Sequence, residues 1–404
     1  MYWVDLKMSQ TTTPQKLVHL IDVIRPGGGP YGYLYNLHQA AEQYGDKNYV
    51  VRYDARSLDR VNSSLMKFRW PNFIARHLKP LKFMAQLLFG LRLQCEDEAH
   101  KENAVVMVHL APHAARILRI KNKSAKLVFM PHAPTSFTDE VMADITLRHG
   151  PCMLTPVYRW MLEKLELRIM SSVDLMVVAA IEGVESYFDR RGIPAREVFE
   201  VTSGVPGFVA STDRDTARQQ LALPADKVIV GYFGRYNQDK GFDFLLEEMS
   251  AMVSFDSVLF ISAGIGALAP MDLPNYVNFG WRSDVDVLIS ACDVVVTPNK
   301  HTYFDLLPLE ALSLSKPVLA SRIGGNKRLA KLTGAVILFD RQPGALVDAL
   351  KSFVAMSPEQ RQYMGRCARE SYETHFSLNA FRHAHCDLAD RVLKRFCNPV
   401  EIAS

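Results

Sequence analysis

The sequence predicts two doubly wound α/β domains of about 200 residues each facing across a cleft. Three observations point there. The chain has 404 residues, 48% hydrophobic and 22% charged, an ordinary globular composition too long for one ordinary core. Short β-branched runs alternate with helical-period segments from one end to the other. Most strand candidates run into a loop marked by glycine, proline or histidine, and the carboxyl ends of parallel strands are where open α/β sheets hold ligands.

The first strand candidate is Lys16 to Ile24, KLVHLIDVI, followed by RPGGGPYGYLYNL. Three glycines, Pro30 in a first-turn position, then Leu34 and Leu37 at helical spacing describe strand, loop and helix. The glycine loop either brings a ligand close to the main chain or is simply a tight turn; its spacing is not G-x-G-x-x-G. From Arg60 to Cys95 there is no acidic residue, while Arg60, Lys67, Arg69, Arg76, Lys79, Lys82 and Arg92 alternate with Phe68, Trp70, Phe73, Phe83 and Phe89. Residues 60–95 therefore suit docking on an anionic bilayer surface or, equally, a solvated helical face. Nucleic acid is not expected, because the net charge is only +4 and the aromatics follow a helix instead of a stacking platform.

Ala104 to Leu110 and Ala125 to Met130 are further buried strands, ending beside His109 and His132, each either structural or chemical. Asp174 to Ala180 and Glu197 to Thr202 add two more, and the run Ser203 to Gly207 marks a linker. The domains are expected at 1–205 and 206–375, with 376–404 as a closing helix.

The second domain opens with Lys227 to Phe233, KVIVGYF, running into GRYNQDKGFDFLLEEM. Arg235 and Lys240 flank a loop between strand and helix. A guanidinium binds two oxygens and an ammonium adds a point charge, which is what a diphosphate needs; surface solvation is the alternative. Ser257 to Ala263 is a strand whose turn at Gly264 and Gly266 exposes backbone. Asp284-Val285-Asp286 has the form of a metal-binding DxD, but it opens an amphipathic helix with no second acidic cluster and is assigned to capping. Val294 to Thr297 is a strand closed by Pro298, and a helix opens near Asp305, a fitting N-cap, with Pro308 tolerated in the first turn. That helix start suits an anion. Glu310 sits just over one turn in, placed either to accept hydrogen bonds from a ligand or to complement the helix dipole. Lys316-Pro317 leads into a strand at Val318 to Ser321, Gly324-Gly325 makes the next turn, and three amphipathic helices follow: to Ala355, Pro358 to His375, and through Arg391.

The six cysteines (Cys95, Cys152, Cys292, Cys367, Cys386, Cys397) form neither a disulfide framework nor a zinc pattern. No apolar run reaches the roughly 18 residues of a membrane span, and the polar start is no signal peptide. A cytoplasmic protein, peripheral on the inner membrane face if residues 60–95 dock, is the expectation.

Several motifs occur together and in order: G-R-x4-K-G at Gly234 to Gly241, the glycine turn near Gly264, Phe304 to Leu312 with Glu310-Ala311-Leu312, K-P-V at Lys316 to Val318, and Gly324-Gly325. This combination resembles the retaining, nucleotide-sugar-dependent enzymes of glycosyltransferase family 4, whose fold is the two-Rossmann-like-domain type called GT-B. The resemblance is strong over 227–329 and diffuse before it. It implies a sugar transferase of the surface-glycan or lipopolysaccharide kind, with a nucleotide diphosphate sugar as co-substrate, a glycan or lipid-linked acceptor and no metal. It also implies site roles: Arg235 and Lys240 on the diphosphate, main-chain N–H groups near Phe304, Asp305 and Leu306 on its oxygens or the sugar, Glu310 on the ribose, His132 beside the transferred sugar, and Gly28 and Gly29 closing over. One departure stands out. The family usually has a glutamate eight residues before the second one, where Thr302 stands here, and a hydroxyl lacks carboxylate charge near a developing oxocarbenium ion. Competing readings are an epimerase or hydrolase on the same architecture, and a scaffold that has lost donor chemistry.

Overall fold

A computed structural model describes residues 16–45, 48–54, 71–181 and 198–397. Arg60, Lys67, Phe68, Arg69 and Trp70 lie outside the described residues. Two six-stranded parallel sheets carry the architecture.

The first sheet comprises β1 (Leu17–Leu20), β2 (Tyr49–Arg52), β3 (Val105–Val108), β4 (Lys126–Phe129), β5 (Leu175–Val178) and β6 (Val198–Glu200), in the order β2-β1-β3-β4-β5-β6. Its helices are α1 (Gly29–Tyr44), α2 (Asn72–Phe89), α3 (Ala111–Ile120), α4 (Phe137–His149) and α5 (Thr155–Met170). Alternation along each strand divides the core in two. Leu17, Met107, Val128 and Val177 face a layer containing Leu34 and Leu37 of α1, whereas Val18, Val106, Leu127 and Met176 face Met84, Ala114, Met142 and Leu162 from α2 to α5. Covering both faces explains why these strands read as continuous apolar runs.

The second sheet has β7 (Val228–Phe233), β8 (Val258–Ala263), β9 (Tyr276–Asn278), β10 (Val294–Thr297), β11 (Val318–Ser321) and β12 (Val336–Phe339), in the order β12-β11-β10-β7-β8-β9. Its helices are α6 (Arg214–Gln220), α7 (Phe242–Ala251), α8 (Val285–Ala291), α9 (Leu306–Ser313), α10 (Gly324–Leu332), α11 (Ala345–Val354) and α12 (Pro358–Ser371). A single π turn, Tyr372–Phe376, then hands the chain to α13 (Leu378–Cys397).

That last helix lies on the first sheet's α1 side: Phe381, Leu388, Ala389 and Val392 share a buried cluster with Leu17, Tyr33 and Leu37. Tyr33 Oη meets His385 Nε2 at 2.7 Å. The linker is clamped as well. Tyr372 donates to the Pro206 carbonyl at 2.7 Å and Asn36 to the Gly204 carbonyl at 2.9 Å. Gly204 has no room for a side chain, since a Cβ would lie 2.4 Å from the Phe381 side chain. Tyr303, from a second-sheet loop, is buried in the first-sheet cluster and so ties the two layers together.

Strand boundaries are tighter than the sequence runs suggest: KLVHLIDVI supplies only four strand residues, because the chain leaves the sheet before the glycine loop. Three strands escaped the sequence reading, β2, β9 and β12. All three are edges of the sheets, and β9 is only three residues long.

Candidate active site

The second-sheet part of the site is built at strand ends β7 and β10. After β7, Gly234 and exposed Arg235 turn the chain, and Lys240 ends the loop just before α7. The loop must hug β10, because a Cβ on Gly241, whose φ is +71°, would lie 1.9 Å from the Pro298 carbonyl oxygen. This brings Lys240 Nζ to 2.6 Å from Asp305 Oδ2, and Asn299 Nδ2 donates to the same oxygen at 2.8 Å. Asp305 is the N-cap of α9, its Oδ1 accepting from Leu306 N at 2.9 Å. Burial alone would raise the Asp305 pKa, but the Lys240 charge and hydrogen bond, Asn299 and the Leu306 N–H outweigh it and hold it below the usual range.

Asp305 is therefore an ionised carboxylate inside the helix mouth. The expectation of free N–H groups at Phe304, Asp305 and Leu306 needs revision at this point, since the Leu306 N–H is already satisfied by the cap. Glu310 lies one turn further in, half-buried, and its side chain makes no hydrogen bond among the described residues. Burial first, then the nearby Asp305 charge, push its pKa up to about 7. Arg235 points to solvent with no ion-pair partner among the described residues. Its carbonyl accepts from Tyr232 Oη at 2.7 Å, and the charges of both Asp305 and Arg235 act on the Tyr232 hydroxyl, whose pKa burial above all raises.

Thr302 is 8% exposed, and its carbonyl lies where a Cβ on Gly324 would be, 2.0 Å away. Gly325 is likewise packed on Tyr303, with a would-be Cβ 1.3 Å from that carbonyl. Gly324-Gly325 thus serves as a close-packing device that seats the 299–305 loop on α10. Phe304 packs near Phe376, at 6.0 Å between ring centroids, and joins the hydrophobic cores. Asp284 occupies the N-cap position of α8, but its side chain makes no cap bond and instead pairs with Arg282, while Asp286 accepts from Ser211 at 2.6 Å. The capping reading of Asp284 is corrected accordingly.

The first-sheet part is different in kind. Gly28 is the extended N-cap of α1 and Gly29 has φ +73°; both are exposed with open space around the Cα. His132 follows β4 and is half-buried, with Nε2 2.9 Å from His109 Nδ1 and the Tyr33 ring edge-on at 4.8 Å. Burial first, and the His19 ring second, lower its pKa to about 3, so it is neutral at physiological pH. Sequence reasoning passed over His19, His385, Tyr33 and Asn299. His19 carried a signal, a lone polar residue inside an apolar strand. A second acid was also overlooked: Glu140 of α4, whose pKa burial raises to about 7, accepts from Thr135 Oγ1 at 3.0 Å and senses Asp239 of the Arg235–Lys240 loop. A cavity of about 440 Å³ lined by Glu200, Arg328, Asp387 and Arg391 contains none of the candidate residues.

Residues 227–355, from β7 to the end of α11, match the family model described as glycosyl transferases group 1. The match takes in the Arg235–Lys240 loop, Asp305 and Glu310. The D-inositol 3-phosphate glycosyltransferase of Geodermatophilus obscurus is 26% identical over 47% of this chain and 47% of its own. The lipopolysaccharide core biosynthesis mannosyltransferase LpsB of Rhizobium meliloti is 28% identical over 37% and 48%. The chain thus spans about half the length of the curated relatives it matches. Solved structures share the fold over nearly all of the chain. Sucrose-phosphate synthase from Thermosynechococcus elongatus aligns with a TM-score of 0.65 at 18% identity over 94% of this chain and all of its own. HepE from Anabaena, solved with UDP, aligns at 0.61 and 16% over 93% and 100%. The fold is GT-B, and the residues that match the glycosyl transferases group 1 model lie in its second half.

Proposed function

We propose that the protein is a glycosyltransferase that moves a sugar from a nucleotide diphosphate sugar to a glycan or lipid-linked glycan. The observation that carries this reading is the Lys240–Asp305–Glu310 arrangement at the α9 start, with Arg235, unpaired among the described residues, in the loop that Lys240 ends, all within the residues that match the glycosyl transferases group 1 model. As the anomeric C–O bond breaks, negative charge grows on the diphosphate. Arg235 and Lys240 meet that charge, and Lys240 exchanges part of its pairing with Asp305 for a phosphate oxygen. Glu310, whose side chain makes no hydrogen bond among the described residues, accepts the ribose hydroxyls, and His132 offers a neutral hydrogen-bonding nitrogen to the sugar. The two cations take the place of a metal ion. The resemblance of the motifs to family 4 supports retention, with the acceptor attacking on the face the diphosphate leaves and a phosphate oxygen taking its proton. HepE having been solved with UDP supports a uridine-type donor, and LpsB supports a lipid-linked acceptor.

The acceptor is reached from an anionic bilayer. On α2, Phe73, Leu78, Leu81, Leu88 and Phe89 are exposed beside Lys82, with Arg76 and Lys79 partly so. Phe83, by contrast, packs on Phe137 at 5.8 Å and belongs to the core. The neighbouring α5 region adds Met153, Leu154, Val157, Trp160 and Met161, all exposed, and His77 Nδ1 meets Tyr158 Oη at 3.0 Å where the two helices join. Exposed apolar bulk rimmed by cations fits an interfacial site. No helix among the described residues is long and apolar enough to cross a membrane.

The experiment is a donor screen by thermal shift followed by product analysis with and without acceptor glycolipid. Acceptor-dependent transfer with the anomeric configuration kept is expected, while acceptor-independent free sugar or an epimer would replace the proposal with a hydrolase or epimerase. Salt-sensitive sedimentation with phosphatidylglycerol vesicles is the expected mark of docking, and its absence removes the membrane surface.

A further inference from the structure

Three histidines belong to three adjacent strands of the first sheet, His19 within β1, His109 just past the end of β3 and His132 three residues past β4, and each step between them climbs towards the carboxyl edge. His19 is in β1 and pairs in register with Met107 of β3; His109 is two residues further along. Val108 pairs with Phe129 of β4, so His109 stands level with Met130, and His132 is again two residues further. Steps of two preserve the face of the sheet. The three rings accordingly line up on the α1 and α13 side: His19 Nδ1 lies 3.1 Å from His109 Nε2, and His109 Nδ1 lies 2.9 Å from His132 Nε2. His19 is fully buried and His109 is 2% exposed. At the inner end His19 Nε2 is buried without a hydrogen-bond partner. At the outer end His132 Nδ1 makes no hydrogen bond among the described residues and is not among the buried unpartnered atoms.

Burial, above all, lowers the pKa of all three, that of His19 to about 3, so each is a neutral imidazole with one N–H and one bare nitrogen. Neutral imidazoles in series have only two consistent proton arrangements, all donating inwards or all donating outwards. Turning His132 alone sets two N–H groups or two lone pairs against each other and forfeits a hydrogen bond. We propose that His109 and His19 are positioning residues that hold His132 in a single tautomer: a buried N–H without a partner is disfavoured at His19 Nε2, so the series donates outwards and His132 Nδ1–H donates to one hydroxyl of the bound sugar. The assignment of that hydroxyl rests on the sugar-transferase reading of the cleft; the tautomer lock does not.

The test is long-range ¹H–¹⁵N correlation on the full chain with ¹⁵N-labelled histidine, the His132 signals among the 12 histidines being assigned by their loss in His132→Gln. The expected wild-type result at pH 6 to 8 is a neutral His132 with one nitrogen protonated, that tautomer favoured by about tenfold or more. His109→Phe is expected to bring the two tautomers within about threefold of each other. His19→Phe, which leaves the His109–His132 contact untouched, is expected to relax the selection in the same direction, an effect that a merely space-filling role for His109 would not produce. Should His109→Phe fail to fold, His109→Asn keeps a polar group beside His132 Nε2 but cuts the link to His19, and its amide flips to suit either tautomer. A doubly protonated His132, averaged signals in the wild type, or signals unchanged in both His19→Phe and the folded His109 variant would overturn the lock. With the donor in hand, the His109 variant is expected to raise KM several-fold with kcat nearly kept. A protein that shows the tautomer change but binds no nucleotide sugar retains the lock and loses the sugar-transferase reading.

Discussion

The candidate residues at the two sheets solve different electrostatic problems. At the second sheet, Lys240, Asp305, Glu310 and Arg235 form a charged, partly open set in which one cation is paired and the other is not. At the first sheet, His19, His109 and the half-buried His132 form an uncharged series hydrogen-bonded end to end, with buried His385 bonded to Tyr33 beside them. Charge that can re-pair suits a diphosphate whose own charge changes during reaction. A neutral hydrogen-bond array suits a sugar, which carries no charge and is recognised by the direction of its hydroxyls.

The contrast predicts unequal losses. Arg235→Ala and Lys240→Ala are each expected to lower turnover about 10²- to 10³-fold, the effect of removing one preorganised electrostatic contact. Arg235→Ala should leave the melting temperature unchanged because the side chain is exposed. Lys240→Ala should lower it, because Asp305 is left half-buried without its ion-pair partner. His132→Gln, which loses one neutral hydrogen bond, is expected to cost about tenfold or less. A larger loss from His132 than from either cation, in steady-state kinetics with the same donor, would reverse the comparison.

Protonation separates the two halves with opposite signs. Glu310 has a folded pKa near 7, above its ordinary 4.5, so its contribution to stability is complete below about 4.5 and is lost as pH rises through 7. Glu310→Gln is expected to match the wild type at pH 5 and to melt a few degrees higher at pH 8. The histidines have folded pKa values below their ordinary 6.5, about 3 for His19 and His132, so their neutral burial costs stability as pH falls below 6.5. A His132→Gln protein should lose less stability than the wild type between pH 6.5 and 4. Parallel melting curves across pH would show that neither group is held as described. The smallest expected effect is none: excess EDTA should leave the transfer rate unchanged, and a rate abolished by EDTA and restored by a divalent ion would assign the charge balance to a metal.

The fold was legible because parallel strands covered on both faces leave uninterrupted apolar runs, as in VIVGYF and VVVT. Edge strands β2, β9 and β12 were not, because a strand paired on one side is only partly buried and so lacks an uninterrupted apolar run bounded by turn signals. At the site, Arg235, Lys240 and Glu310 could be picked out as charges at fixed offsets from strand ends and glycines. What sequence could not show is that Asp305 fills the helix mouth and binds Lys240, since this depends on how closely Gly241 lets two loops approach. The histidine series was hidden for a related reason. His19, His109 and His132 are separated by 90 and 23 residues, and only the strand register brings them together.

Calorimetric titration of the full chain with UDP, GDP and ADP bears most directly on the cationic grip. One of these diphosphates is expected to bind the wild type, to bind Arg235→Ala and Lys240→Ala at least about tenfold more weakly, and to bind His132→Gln with nearly unchanged affinity. No heat from any diphosphate, or equal affinity in the wild type and both cation variants, would contradict it.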